Sequence, residues 1–230
     1  MAFKINTMAT TKRAKAKKNA IDDNYLIELY MNDVLETNEE PRNAYAFCKK
    51  HEIEESDFYA FFGSLDIVKQ TIWLKFFDNA VTTIEKEAAF ENYLDKDKLL
   101  TLCFTLFEVL TLNRSYVLFS LKENKEGLKN LKNLKLFRNH FKEYIVNKIK
   151  SKPSEPFGKV AKVTEPVFSE GAWLQFLFIL KFWMDDTSKG FEKTDVLIEK
   201  SVNTVVDLLD TKPLESLFDL GKFLWKEKMQ

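Results

Sequence analysis

The chain has 230 residues, with 35 Lys and Arg set against 35 Asp and Glu, so no global field draws it to a polyanion and any nucleic-acid contact must come from a local patch. Hydrophobic residues make up 45% and charged residues 30%, the balance of a globular protein long enough for one or two domains with a real core. Phenylalanine occurs 21 times against 6 glycines and 5 prolines, which predicts long helices around an aromatic interior.

Residues 1–20 hold Lys4, Lys12, Arg13, Lys15, Lys17 and Lys18 and no acid. They read as a disordered basic arm, either a functional one or a solvated leader. From Asn24 to Leu35 apolar residues recur at helical spacing. After "ETNEEP", Pro41 suits the first position of a second helix ending near Lys50. A turn around Ile53 leads to a very short helix over 55–62, which Gly63 stops, and Ser64 caps a long helix striped by Val68, Ile72 and Phe76.

Helices are expected again over 96–112, briefly over Tyr116 to Leu121, and from about Gly127 to Lys150. Residues 151–168, with Pro153, Pro156, Gly158 and Pro166, read as a loop. Three helices follow at roughly 169–185, 190–209 and 213–227. No period-two pattern appears, so the fold class is all-α.

Cys48 and Cys103 sit inside apolar helical patterns and read as reduced core thiols of a cytosolic protein. His51 and His140 have no metal-ligand spacing with either, no glycine-rich phosphate loop exists, and no nucleophile–base pair stands out. The expectation is a non-enzyme without cofactor or metal. The most apolar run, Ala172 to Met184, is broken by Gln175 and Lys181 and falls short of the roughly 20 residues a membrane span needs.

The stretch "AYAFCKKHEIEESDFYAFFGSLDIV" carries a resemblance. Phe47 at the apolar position of one helix, Ile53 in the turn, Phe58-Tyr59 in the next helix and Phe62-Gly63-Ser64 before a long one resemble the helix-turn-helix of the TetR family of bacterial regulators. The resemblance implies a helix-turn-helix unit over 21–66 and a helical ligand-binding and dimerisation domain over 67–230. It implies a phosphate contact from Tyr59, with Arg42, Asn43, Lys49, Ser56, Ser64 and the arm cations Lys12, Arg13, Lys15, Lys17 and Lys18 completing the DNA surface. The sequence departs from the family at Glu52, where glycine is usual, at Glu54, at Glu55 to Asp57, and at Leu65, often a lysine. Carboxylates there are repelled by phosphate unless they accept from a cytosine amino group.

A second stretch, "FWMDDTSKGFEKTDVLIEKSV" (Phe182 to Val202), is similar to the ubiquinone-biosynthesis accessory proteins, which share the TetR fold and bind isoprenoid lipid. Asp186, Ser188, Phe191 and Thr194 carry the match. Physically, Asp186 and Ser188 can cap the second of two helices while Phe191 tucks back into the core.

In a TetR-like arrangement Phe104, Phe107, Tyr116, Phe137, His140, Phe141, Tyr144, Trp173, Phe176 and Leu177 would line an effector cavity for an apolar ligand; plain packing of the same rings is the alternative. The helices at 169–185 and 190–209 are the family's dimerisation pair. "WLQFLFILKFWM" is apolar nearly all round, so its second face needs a partner copy or a cover from helix 213–227. The sequence therefore predicts a cytoplasmic, ligand-responsive, dimeric DNA-binding regulator. Its rival is a lipid- or partner-binding helical protein of the same fold that has lost DNA recognition.

Overall fold

A computed structural model describes residues 21–122, 129–149 and 158–210, and every regular element among them is helical. The elements are α1 (Asp23–Thr37), α2 (Ala44–Lys50), α3 (Glu55–Tyr59), α4 (Leu65–Ile84), α5 (Asp95–Leu112), α6 (Arg114–Lys122), α7 (Lys135–Tyr144), α8 (Gly158–Asp185) and α9 (Glu192–Asp210). Short 3-10 turns stand at Phe90–Asn92, Lys129–Leu134 and Lys189–Phe191, and α7 runs into a π-helical turn at Ile145–Ile149. The basic arm and the expected helix over 213–227 lie outside the described residues.

Three expectations need correction. Pro41 lies ahead of α2 and outside it; Asn43 caps that helix instead, its Oδ1 accepting from Ala46 N at 2.8 Å. The long helix foreseen from Gly127 is a 3-10 stretch, then α7, then the π turn, because the apolar stripe does not report which hydrogen-bond ladder the backbone adopts. The loop foreseen through residue 168 is helical from Gly158 onward, with Pro166 inside α8. A proline there removes one backbone donor, and the long apolar helix that follows carries it regardless.

The described residues form two compact units, one from 21–76 and 110–137, the other from 77–109 and 138–210. In the first, α1 packs on α6, and α2 on α3. Asp22 opens α1 by accepting from Tyr25 N at 2.7 Å, and Asn38 closes it in the left-handed region at φ 56°. Leu26, Tyr30, Val34, Ile72, Trp73 and Tyr116 are buried there. Each such apolar side chain contributes on the order of 1.5–3 kcal/mol.

Two ion clusters interrupt that core. Lys50 and His51 both turn to the buried Asp33. Lys69, 8% exposed, donates to Glu40 at 2.8 and 3.0 Å and pairs with Asp66 at 2.8 Å, tying the segment before α2 to the first turn of α4. Burial pushes the Lys69 pKa down, but the two carboxylates outweigh it and leave the ammonium above its ordinary value.

In the second unit, α8 packs on α9 and on the π turn. The α8–α9 connection is built around Asp186. One carboxylate oxygen accepts from Ser188 N and Oγ at 2.8 and 2.7 Å, the other from Thr194 N and Oγ1 at 3.0 and 2.7 Å. Ser188 Oγ in turn accepts from Lys193 N at 3.2 Å, and the ring of Phe191 lies 6.0 Å from that of Trp183. Capping by Asp186 and Ser188 with Phe191 folded inward is thus the observed arrangement.

Burial raises the Asp186 pKa, but those four hydrogen bonds overcome it and hold the carboxyl well below the usual carboxylate range. A depressed carboxyl stabilises the fold above the unfolded pKa, near 3.9, and that stability disappears as pH falls toward the folded value. Asp186→Asn is therefore expected to lower the urea midpoint at neutral pH. The gap from the unsubstituted chain should shrink below about pH 4. A gap of constant size down to acid pH would mean that the charge is not what the turn uses.

Candidate nucleic-acid interface and aromatic interior

The head of the first unit is held by four buried side chains, Phe47 from α2, Ile53 from the turn, Phe58 from α3 and Phe62 just after it. Phe47 and Phe58 meet edge to face at 6.0 Å, and Phe58 lies 6.1 Å from Phe62. Such pairs add about 0.5–1.5 kcal/mol to their area burial and fix the angle between two helices too short to stand alone. Tyr30 of α1 braces Phe47 at 6.2 Å. With Phe58 pinned, its neighbour Tyr59 is thrown outward and is 52% exposed.

The expected DNA-facing residues fall as follows. Arg42, Lys49, Ser56 and Tyr59 are exposed. Asn43 is exposed but committed to capping α2, and Ser64 Oγ accepts from Ile67 N at 3.3 Å at the start of α4. Lys49 holds its ammonium 5.7 Å from the Tyr45 ring centroid. Lys12, Arg13, Lys15, Lys17 and Lys18 lie outside the described residues.

The acidic edge is equally plain. Glu52, Glu54 and Asp57 are exposed, Glu55 is half-buried, and none of the four forms an ion pair among the described residues. Glu52 takes the left-handed backbone at φ 55°, the conformation that favours glycine. From Arg42 to Ser64 three Lys and Arg stand against four Asp and Glu, and Lys50 is already committed to Asp33. The two short helices take the scissor form that the sequence predicts, but the charge around them does not favour a polyanion.

In the second unit, Phe107, Phe141, Tyr144, Trp173 and Phe176 are buried together. Phe141 touches Trp173 and Phe176 at 5.8 and 5.7 Å, Phe107 meets Phe176 at 5.8 Å, and Phe77 joins Phe141 and Tyr144 at 5.9 and 5.8 Å. Trp173 and Phe176 stack at 5.3 Å, and Leu177 is half-buried beside them in sequence. The Tyr144 hydroxyl is pushed above its ordinary pKa by burial, and further by Glu85.

Four expected lining residues are not part of this cluster. Phe104 and His140 are exposed, because the buried stripes of their helices run through Leu102, Cys103, Leu106 and Phe107 and through Phe137, Phe141 and Tyr144. Tyr116 and Phe137 belong to the first unit, where they contact Phe76 and Trp73 at 6.3 Å each. Sequence reading missed the buried ions Asp33 and Lys69. The signal was available, since each sits within an otherwise apolar helical stripe.

Both cysteines are free and buried; burial pushes the Cys103 thiol up to about 12, and Cys48 is raised by burial and by Glu55. Among the described residues no group of three or more His, Cys, Asp or Glu could hold a metal ion, and no single helix is long and apolar enough to cross a membrane.

No curated protein matches the chain. Residues 98–224 match the family profile described as the tetracyclin repressor-like C-terminal domain. That match spans more than half of the sequence and coincides with helices α5 to α9, while the remaining helices include the scissor of α2 and α3 expected of such a protein. The chain is a member of the TetR family of regulators, with the family's all-α fold.

Proposed function

We propose that the protein is a cytoplasmic, non-enzymatic regulator that binds duplex DNA as a dimer and responds to an apolar small molecule. The observation that carries this reading is the head: four buried apolar side chains hold α2 and α3 in a scissor, with Tyr59 outward and Arg42 and Lys49 exposed nearby in sequence. Phosphate contacts come from Arg42, Lys49, Ser56, Tyr59 and the arm cations Lys12 to Lys18, an arrangement with precedent in DNA-binding arms that supplement a recognition helix. The second copy docks through α8 and α9, where Phe182 and Val196 are exposed apolar side chains. The ligand class follows from the Phe141, Trp173 and Phe176 cluster, whose rings suit an apolar molecule.

Binding to mixed-sequence duplex DNA across a salt series tests the reading. Affinity is expected to fall by about 0.9 log units per log unit of salt for each phosphate neutralised, and removal of residues 1–20 should flatten the slope. An unchanged slope removes the arm from the interface.

One observation favours a second reading. The exposed carboxylates of Glu52, Glu54 and Asp57 have no cation partner among the described residues, as expected of a TetR-fold protein that carries a lipid or binds a protein partner without reading DNA. That reading predicts no salt-dependent DNA affinity at all, together with a co-purifying apolar molecule detectable by native mass spectrometry.

A further inference from the structure

Helix α3 turns the buried Phe58 into the scissor. At about 100° per residue, Ser56 falls nearly opposite Phe58, with Asp57 and Tyr59 to either side of it. All three are exposed. The other carboxylates lie elsewhere. Glu55 stands about 60° from Phe58 on the same count. It is half-buried and its charge raises the Cys48 thiol of α2, so it faces the neighbouring helix. Glu52 is in the turn, and Glu54 precedes α3 at its cap position. On the outward face of α3 the carboxylate is therefore that of Asp57. It forms no ion pair and no side-chain hydrogen bond among the described residues.

That placement decides what Asp57 can meet. With Tyr59 on a phosphate, the adjoining strip of α3 turns toward base edges. An ionised carboxylate accepts hydrogen bonds and donates none. In the major groove guanine presents two acceptors, and thymine an acceptor and a methyl group, so both repel it. Adenine presents its amino group beside the N7 acceptor, which opposes the second carboxylate oxygen. Cytosine presents a donor with no acceptor on the same base. Repulsion from the phosphates weakens binding to every sequence alike, so what the carboxylate adds is a choice between bases.

We propose that Asp57 is a specificity-determining residue of the head, accepting from a cytosine N4 amino group in each half-site. The inference rests on the DNA-binding reading above and names a base which that reading leaves open. Ser56 beside it both donates and accepts, and so adds no choice of its own. In a twofold dimer the cytosine recurs at symmetry-related positions of the operator.

Selection of the full chain against a randomised duplex library at low salt tests it, with the bound duplexes sequenced. The unsubstituted chain is expected to enrich cytosine at one fixed position of each half-site, by about tenfold or more over guanine or thymine. Asp57→Asn should move that position to adenine, because an amide pairs with both N6 and N7 of that base, and leave the rest of the site unchanged. Asp57→Ala should leave the position without preference. Glu52→Gln, in the turn, should tighten binding without altering the position. Asp57 is exposed and free of ion pairs, so its variants keep the buried scissor. A selected site without cytosine, or one that stays the same in Asp57→Asn, would overturn the inference. Salt-dependent binding with no selected sequence would also overturn it, while leaving DNA binding in place. No binding at any salt would remove the DNA reading and this inference with it.

Discussion

Replacing Glu52, Glu54 and Asp57 together with lysine is expected to raise affinity for mixed-sequence duplex DNA by about a hundredfold or more near 0.1 M salt, because each new phosphate contact releases close to one counterion. The salt slope should steepen by about 0.9 for each lysine that reaches a phosphate. The corresponding change to glutamine separates removed repulsion from added attraction, and should recover a smaller part of the gain with little change in slope. All three side chains are exposed and free of ion pairs among the described residues, so the substitutions leave the buried scissor intact. If affinity and slope stay where they were, α3 does not lie against phosphate. The head then serves another partner.

Phe58→Ala is expected to destabilise the protein by about 3–5 kcal/mol, the usual cost of emptying a buried phenylalanine site. Phe58 is fully buried and joins Phe47, Tyr59 and Phe62 in one ring cluster, so the cavity opens where α2 and α3 have little else to hold them. That loss is a large share of the roughly 5–15 kcal/mol by which a protein of this kind is stable. Phe61→Ala, on an exposed ring three residues along, should change stability by less than about 0.5 kcal/mol. Urea unfolding followed by circular dichroism separates the two. Equal midpoints for both variants would show that the ring cluster does not fix the scissor.

Among the described residues the helices and the scissor were legible because both depend on spacing. Phe47, Ile53, Phe58 and Phe62 recur at intervals that only a short helix, a turn and another short helix can bury together, and all four are buried. The family that this stretch pointed to is the one the chain belongs to. Backbone detail was less legible. Whether residues 129–149 form a 3-10, α or π ladder depends on hydrogen bonds that the apolar stripe leaves open, and Pro166 was read as a loop marker although α8 continues through it. Side-chain direction was the other gap. A TetR-like arrangement of the helices puts Phe104 and His140 at a cavity, yet each sits off the buried stripe of its helix. Buried charge was a third gap: Asp33 and Lys69 stand out as charges within apolar stripes, but Lys50 and Glu40, which help hold them, are 17 and 29 residues away.

The π-helical turn at Ile145–Ile149 has a consequence for how the chain tolerates changes of length. A π turn houses one residue more than an α-helix needs for the same advance, so it absorbs an insertion while its neighbours keep their facing. Deleting Asn147, an exposed residue there, should restore an ordinary ladder and yield a folded protein. The same deletion two turns earlier, at Asn139, would rotate Phe141 and Tyr144 by about 100° and expel them from the aromatic interior. Soluble yield and thermal melting of the two deletants would tell them apart.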